Sequence, residues 1–547
     1  MTSLPWEAVP PDPEDHLWDA IVIGTGAGGA TAGFNLARLG RSVLFVERGK
    51  LLHRDPTVVK GQPFSWKDNP ETALNHGWWP RAVYRREEEG GVSVPTRPPI
   101  GSGAGGSTAQ FGAIMDRFRP EDFTPRRFFS DLPAASLPEA WPISYEEMVP
   151  FYERAERLYR VRGTQDPLAS TPSRILEPSP ATAKERAVLA VLKNVGLNPY
   201  RLHVALERVP GCIGCPGMLC PHACRNDAAR MCLYPALEQY GAKILPNCRA
   251  IRLEETGRIV KRVICEWNQR RIALRARIFV LAANAFLTPA LLQRSANEQF
   301  PDGLANSSGL VGRNLMMHAA NHLFSRLKSP APDLGMSMNH GLSLNDFYVH
   351  DGTKLGNIHA HTMVTRDELM RFLVQCYVRP GAARSGSRRW AAYLPDPLLS
   401  MITSTGRFLC RSWIVFAAIV EDLPYPGNYV AAKAGSEEDI VYTYRYPDEL
   451  RRRANMMCDR FKSTVASLLD VRPLQPVGAL NGSHVCGTCR FGDDPQTNVL
   501  DRDNRAHDLD NLYVLDASFF PSSGGINPSL TIVANSLRAT DKIAQRL

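Results

Sequence analysis

The sequence lacks a long apolar run. No stretch of its 547 residues reaches about 18 uninterrupted apolar side chains, so no membrane-spanning helix is expected. The opening MTSLPWEAVPPDPEDHLWDA does not read as a secretory signal, with no charged region followed by an apolar one and no twin arginine. The chain is therefore expected in the cytoplasm, with export beside a partner that carries its own signal left open. No basic motif is interleaved with aromatics, so nucleic acid is not an expected partner. No internal repeat is visible. The charge is not extreme: 64 Lys and Arg against 55 Asp and Glu give +9, which reads as a solvated basic surface. What is present, 44% hydrophobic and 22% charged residues, describes a globular chain long enough for two or more joined domains. Twelve cysteines in a chain with no visible signal point to thiols or metal ligands rather than structural disulfides.

The stretch DAIVIGTGAGGATAGFNLARLGRSVLFVERG (19–49) begins with an apolar run of buried-strand type. Gly24, Gly26 and Gly29 follow in G-x-G-x-x-G spacing. A helical pattern closes at Gly40, and a second apolar run ends at Glu47. Gly24 suits the tight turn, Gly26 a close approach of backbone to a pyrophosphate, and Gly29 close packing of helix on strand. The helix N-terminus then faces phosphate. Glu47, about 20 residues on, stands where a carboxylate binds ribose hydroxyls. Strand, helix, strand and acid in this order predict a Rossmann-like dinucleotide site.

Cys212, Cys215, Cys220 and Cys224 crowd into GCIGCPGMLCPHAC (211–224), and Cys232 follows. A loop punctuated by Gly and Pro lets short thiol side chains converge, which suits iron–sulfur or zinc binding. Unmetallated thiols, a disulfide knot and plain packing remain open beside these.

Two further segments, GSGAGGSTAQFGAIMDRFRPEDF (101–123) and HVCGTCRFGDDPQTNVLDRDNRAHDLDNLYVLDASFFPSSGGINPSLTIVANSLRATDKIA (484–544), accompany the N-terminal fingerprint. With ARIFVLAANAFLTPALLQRS (276–295), SSGLVGRNLMMH (307–318) and EDLPYPGNYV (421–430), they resemble the glucose–methanol–choline (GMC) oxidoreductase family. The resemblance spans nearly the whole chain and is thin from about 320 to 480. It implies an α/β fold (α+β overall): a Rossmann-like FAD-binding lobe and a substrate lobe of β-sheet plus helices. It also implies FAD as cofactor and oxidation of a sugar, polyol or other alcohol to a carbonyl. The loop at Gly105, Gly106 and Ser107 is expected to approach the flavin. No His lies between Gly101 and Asp122, so the FAD is expected to be non-covalent. Asp516, at the end of a strand, is expected to face the ribityl or pyrophosphate region.

In this resemblance His484 is the base that takes the hydroxyl proton while hydride leaves for flavin N5. Asn527, opening the C-terminal helix, is the partner of the substrate oxygen, with Pro528 in the helix's first turn. Read alone, Asn527 is a helix N-cap and Asp516 a turn cap. His318 and His507 are expected to orient loops or flavin. Asn284 replaces the more usual Gly, and Cys486 and Cys489 read as small buried residues.

The cysteine loop, with MDRFRPEDF, looks like the branch containing bacterial FAD-dependent glucose, gluconate and fructose dehydrogenases, in which a similar loop holds an iron–sulfur cluster. That implies Cys215, Cys220 and Cys224, with Cys212 as a fourth ligand or none, and an electron-acceptor protein or quinone as partner. The alternatives are an oxygen-using oxidase of the same family and a non-redox cyanohydrin lyase that keeps FAD. The expected organisation is an arm (1–18), an FAD lobe (19–310) with the cysteine insert (211–232), a substrate lobe (311–480) and a return to the FAD lobe (481–547). A basic, apolar stretch at 370–402 is read as a membrane or partner contact, a lid or a surface loop.

Overall fold

The computed structural model describes residues 8–62, 70–81, 83–86, 91–210, 212, 215, 217–328, 341–361, 413–474 and 477–547. The 370–402 stretch lies outside them. Among the described residues no helix is long and apolar enough to cross a membrane.

The apolar runs of the fingerprint become adjacent strands. Leu17–Ile23 pairs in parallel with Val43–Val46 on one side and with Arg270–Leu281 on the other. Lys243–Leu245 and Leu512–Val514 extend this parallel sheet at its two edges. Val43–Val46 is buried throughout, as a strand covered on both faces must be. The long strand Arg270–Leu281 has two lives. Its first half pairs antiparallel with Ile259–Trp267, and its second half enters the parallel sheet.

Helix Ala27–Arg38 lies against the parallel sheet and against the C-terminal helix Ser529–Arg546. The contact is close because it is built from small residues. A Cβ on Gly28 would sit 1.6 Å from the Leu515 carbonyl oxygen. Asn35 Nδ2 donates to Thr540 Oγ1 at 2.8 Å, and Ser536 Oγ to the Gly28 carbonyl at 2.8 Å.

A second, antiparallel sheet is built around Met316–Leu327, Trp413–Val420 and Gly356–His361. Its far edge includes Tyr200–Arg201, and helix Asp448–Val465 covers one face through Met457 and Phe461. A four-stranded sheet joins distant parts of the chain, with Val83–Arg86 parallel to Ile440–Thr443.

A buried ionic cluster ties the turn Pro120–Phe123 to the end of the strand Trp413–Val420. Lys354 Nζ contacts Asp122 Oδ1 at 2.6 Å and Glu421 Oε2 at 2.7 Å, with all three side chains fully buried. Tyr348 Oη donates to Asp122 at 2.7 Å and accepts from the Gly525 N–H at 2.9 Å. Removing any one of these charges would leave the others buried without compensation.

Candidate active site

A cavity of ≈ 680 Å³ lies between the sheets. The parallel sheet and its turns contribute Gly24, Gly26, Glu47, Gly106, Ser107 and Asp516; the antiparallel sheet contributes Ala320, His322, His359, Ala417 and Ile419; His484 and Asn527 join them.

Each fingerprint glycine has its own steric environment. Gly24 has φ +98°, a conformation that side chains rarely adopt, and a Cβ there would meet the Ala282 carbonyl oxygen at 2.4 Å. A Cβ on Gly26 would meet nothing within 4 Å, so the backbone there faces open cavity, as a pyrophosphate site requires. Gly29 does not line the cavity; a Cβ would meet the Gly24 carbonyl oxygen at 2.1 Å, so it serves packing.

Glu47 ties two loops together. Its Oε2 accepts from Thr25 Oγ1 at 2.6 Å and Thr25 N at 3.1 Å; its Oε1 accepts from Gly49 N at 2.9 Å and Gly103 N at 3.2 Å. The glycine-rich loop is thereby laid on the fingerprint turn, where a Cβ on Gly106 would stand 2.9 Å from Gly26 Cα. Ser107 Oγ accepts from Gly101 N at 3.0 Å and lines the cavity. Gly105 does not line it and instead donates its N–H to the Thr25 carbonyl at 3.2 Å. A site that combines free helix N–H groups, an open glycine and a fixed carboxylate fits a dinucleotide.

Asp516 lines the cavity but serves chiefly as a cap. The strand ends at Val514. Oδ1 of Asp516 accepts from Ser518 N at 2.8 Å at the head of the short turn Ala517–Phe519, and Oδ2 accepts from Asn284 N at 2.9 Å and Thr288 Oγ1 at 2.5 Å. Asn284 has φ +85°, which explains why Asn stands where Gly is usual: its side chain accepts from Phe286 N at 3.0 Å and holds the left-handed turn. Arg48, which no motif singles out, also lines the cavity. Its guanidinium stacks 3.7 Å from the Trp79 ring, and burial lowers its pKa to about 10.

His484 lies on the strand Leu480–Cys486, which pairs with Met316–Leu327 through an irregular register. Met316 faces Cys486 while His318 faces Asn481, so the His484 strand carries three extra residues in this interval. The excess bows out the segment bearing His484, as bulges beside active sites commonly do. Nε2 of His484 lies 3.4 Å from Asn527 Nδ2, and its Nδ1 lies 2.9 Å from His318 Nδ1. Burial, with His318 alongside, pushes the His484 pKa well below its usual value, so the ring is neutral at neutral pH. Pro528, not Asn527, is the N-cap of the C-terminal helix, and no side chain caps it. The Asn527 amide is thereby available to the cavity, and its Oδ1 is buried with no hydrogen-bond partner. His507 is remote from this chemistry and binds the Gly492 carbonyl at 3.0 Å.

All ten cysteines among the described residues are free thiols, with Cys486 and Cys489 fully enclosed in the core. In the cysteine loop, Sγ of Cys212 and Sγ of Cys220 each lie 3.3 Å from Sγ of Cys224. Zinc with bonds of ~2.3 Å holds its thiolates about 3.8 Å apart, and a cluster whose thiolates take separate irons holds them further apart still. The thiols are closer than either group requires. Among the described residues no set of three or more His, Cys, Asp or Glu is disposed to hold a metal ion. The arrangement fits a hydrogen-bonded thiol chain in which donation from Cys215 and Cys224 pushes the Cys220 thiol far down. The loop also braces the cavity. Arg225, fully buried, donates to the carbonyls of Ala109 at 2.5 Å and Met218 at 2.8 Å, and Gly217 N donates to the Gln110 carbonyl at 2.8 Å.

This architecture has a family. Residues 143–320 and 458–536 match the two GMC oxidoreductase models. The chain is 30% identical to 6'''-hydroxyparomomycin C oxidase of Streptomyces lividus over 99% of this chain and 94% of that one. It is 25% identical to the fructose dehydrogenase large subunit of Gluconobacter japonicus, over 97% and 98%. The solved pyridoxine 4-oxidase from Mesorbium loti superposes with a TM-score of 0.62 at 18% identity, covering 96% of this chain and 99% of that one, a likeness of fold. The chain belongs to the GMC oxidoreductase family of flavoproteins, as its motifs implied.

Proposed function

We propose that this protein oxidises a CH–OH group of a polyhydroxylated molecule to a carbonyl, with non-covalently bound FAD as the hydride acceptor. The observation that carries the reading is the His484–Asn527 pair, 3.4 Å apart, set in the same cavity as the dinucleotide cradle.

Gly24, Gly26, Glu47, Gly106 and Ser107 would hold the dinucleotide, and FAD bound there supplies a two-electron acceptor. The chain's own residues do the rest. His484, kept neutral, offers a ring nitrogen to the substrate hydroxyl and takes its proton as the carbinol hydrogen departs. Asn527 fixes the substrate oxygen and supports the charge that grows on it.

A polar substrate is supported by the antiparallel sheet. His322, Ala417 and His359 stand in register across three neighbouring strands, and all three line the cavity. Two imidazoles flanking an alanine suit a molecule with several hydroxyls. The S. lividus relative is named for the oxidation of a hydroxylated paromomycin, in keeping with this class. The named relatives include an oxidase and a dehydrogenase subunit, so oxygen and a protein or quinone acceptor are both to be assayed.

The test is anaerobic mixing of the purified holoenzyme with sugars, aminoglycosides and simple polyols. Bleaching of the flavin absorbance by a polyol supports the proposal. Turnover of a cyanohydrin with the flavin still oxidised would replace it with the lyase reading.

A further inference from the structure

His318 is fully buried on the strand Met316–Leu327, behind His484 and away from the cavity. Its Nε2 lies 2.8 Å from the Gly524 carbonyl oxygen and 3.2 Å from that of Ser523. Carbonyl oxygens only accept, so Nε2 of His318 must carry the hydrogen. Burial lowers its pKa to about 4, so the ring holds one proton at neutral pH and its Nδ1 keeps a lone pair. The charged groups whose fields reach it, Asp122 and Lys354, oppose one another.

The next bond is then determined. The two Nδ1 atoms are 2.9 Å apart and one must donate. His318 Nδ1 has no hydrogen to give, so the hydrogen sits on His484 Nδ1. His484 is itself neutral, and its Nε2 is left as a bare lone pair beside the Asn527 amide. The two backbone carbonyls thus set the tautomer of the base through one intervening ring.

The carbonyls are held firmly enough to do this. Ser523 Oγ donates to the Asp422 carbonyl at 2.8 Å and accepts from the Asp422 N–H at 3.1 Å. Gly525 donates to Tyr348 Oη at 2.9 Å, and a Cβ on it would stand 2.6 Å from Gly356 Cα. The SSGGIN segment is therefore pinned on both sides of the two acceptors.

We propose that His318 is a positioning residue that fixes His484 in the Nδ1–H tautomer, presenting Nε2 as the base, and that accepts the Nδ1–H bond more strongly once His484 has taken the substrate proton. The proposal rests on the reading of His484 as the base, and its first test needs no substrate.

Neutron diffraction, or nitrogen NMR of histidine-labelled enzyme, reads the tautomer directly. Hydrogen on His484 Nδ1 and on His318 Nε2 is the expected result. Hydrogen on His484 Nε2 overturns the proposal, whatever reaction the enzyme catalyses. The second test compares His318→Phe with His318→Gln, whose amide oxygen can still accept the Nδ1–H bond. The Phe variant is expected to lose on the order of 10²–10³-fold in the rate of flavin reduction at unchanged KM, and the Gln variant to recover most of that loss. Equal losses in two folded, flavin-loaded variants would mean that His318 only fills space. Should the variants fail to fold, the tautomer of the unaltered enzyme still decides.

Discussion

Asn527 turns its Nδ2 toward His484 Nε2 at 3.4 Å, while Oδ1 of the same amide is buried with nothing to bind. An unpartnered buried acceptor costs roughly 1–3 kcal/mol unless something arrives to satisfy it. The Nδ2 of this amide, beside His484, is the group placed to donate to the substrate oxygen whose hydrogen His484 takes. Asn527→Ala is therefore expected to lower kcat/KM on the order of 10²-fold with the fold intact, because the amide contacts the reacting oxygen. His484→Ala should cost more, on the order of 10²–10⁴-fold. Steady-state kinetics on holoenzyme matched for flavin content checks both. Retained activity in His484→Ala would remove the assignment of the base.

The link between Glu47 and Gly103 predicts how the cofactor is lost. Glu47 positions both the fingerprint turn and the glycine-rich loop, so Glu47→Ala should lower flavin occupancy more than it lowers melting temperature. The absorbance ratio of flavin to protein after gel filtration measures this. In the unaltered enzyme, acid precipitation should leave the yellow colour in the supernatant, since the loop from Gly101 to Asp122 offers no histidine for a covalent bond. Flavin retained in the pellet would contradict this.

The cysteine loop makes a prediction through its spacing. Sulfurs 3.3 Å apart share hydrogens, and Arg225 carries the loop's hydrogen bonds to the backbone of Ala109 beside the cavity. Anaerobic purification should yield flavin with iron and acid-labile sulfide at background, and Cys220→Ser should loosen flavin binding without altering any metal content. Three or four irons per flavin would make the loop a cluster site and the protein a dehydrogenase that feeds a redox chain.

Much of the dinucleotide cradle was legible because its logic is local. Gly24, Gly26, Gly29 and Glu47 lie within one strand–helix–strand unit, where spacing alone suggests roles. The pairing of His484 with Asn527 came from resemblance, since 43 residues separate them and no periodicity joins them. His318 was expected to orient a loop or the flavin, and its bond to His484 was beyond reach. It depends on contacts 166 and 206 residues away in sequence and on which nitrogen carries a hydrogen, and neither leaves a trace in the pattern. Asn284 looked like a departure until its positive φ showed the one conformation that Asn shares readily with Gly. The cysteine spacing suggested convergence, and the thiols do converge, but separations that discriminate a metal from shared hydrogens are not written in spacing.

Asp422 predicts a pH dependence of stability. Burial raises its pKa from 3.8 to about 7, against hydrogen bonds from the Met317 N–H, Tyr444 Oη and the Leu423 N–H, with Glu449 adding to the rise. A raised carboxyl holds its proton in the folded state after the unfolded chain has released it. Its contribution is therefore fully present below pH about 4 and is lost as pH rises toward about 7, above which it levels off. The whole change is on the order of 4 kcal/mol. Thermal unfolding of holoenzyme from pH 4 to 8 should show a melting temperature that falls with pH more steeply in the unaltered protein than in Asp422→Asn, which has no proton to lose. The difference in slope is the readout, because the amide also alters the local hydrogen bonds and so shifts absolute stability. Parallel slopes would mean that Asp422 is already ionised in the folded protein, with its three donors outweighing its burial.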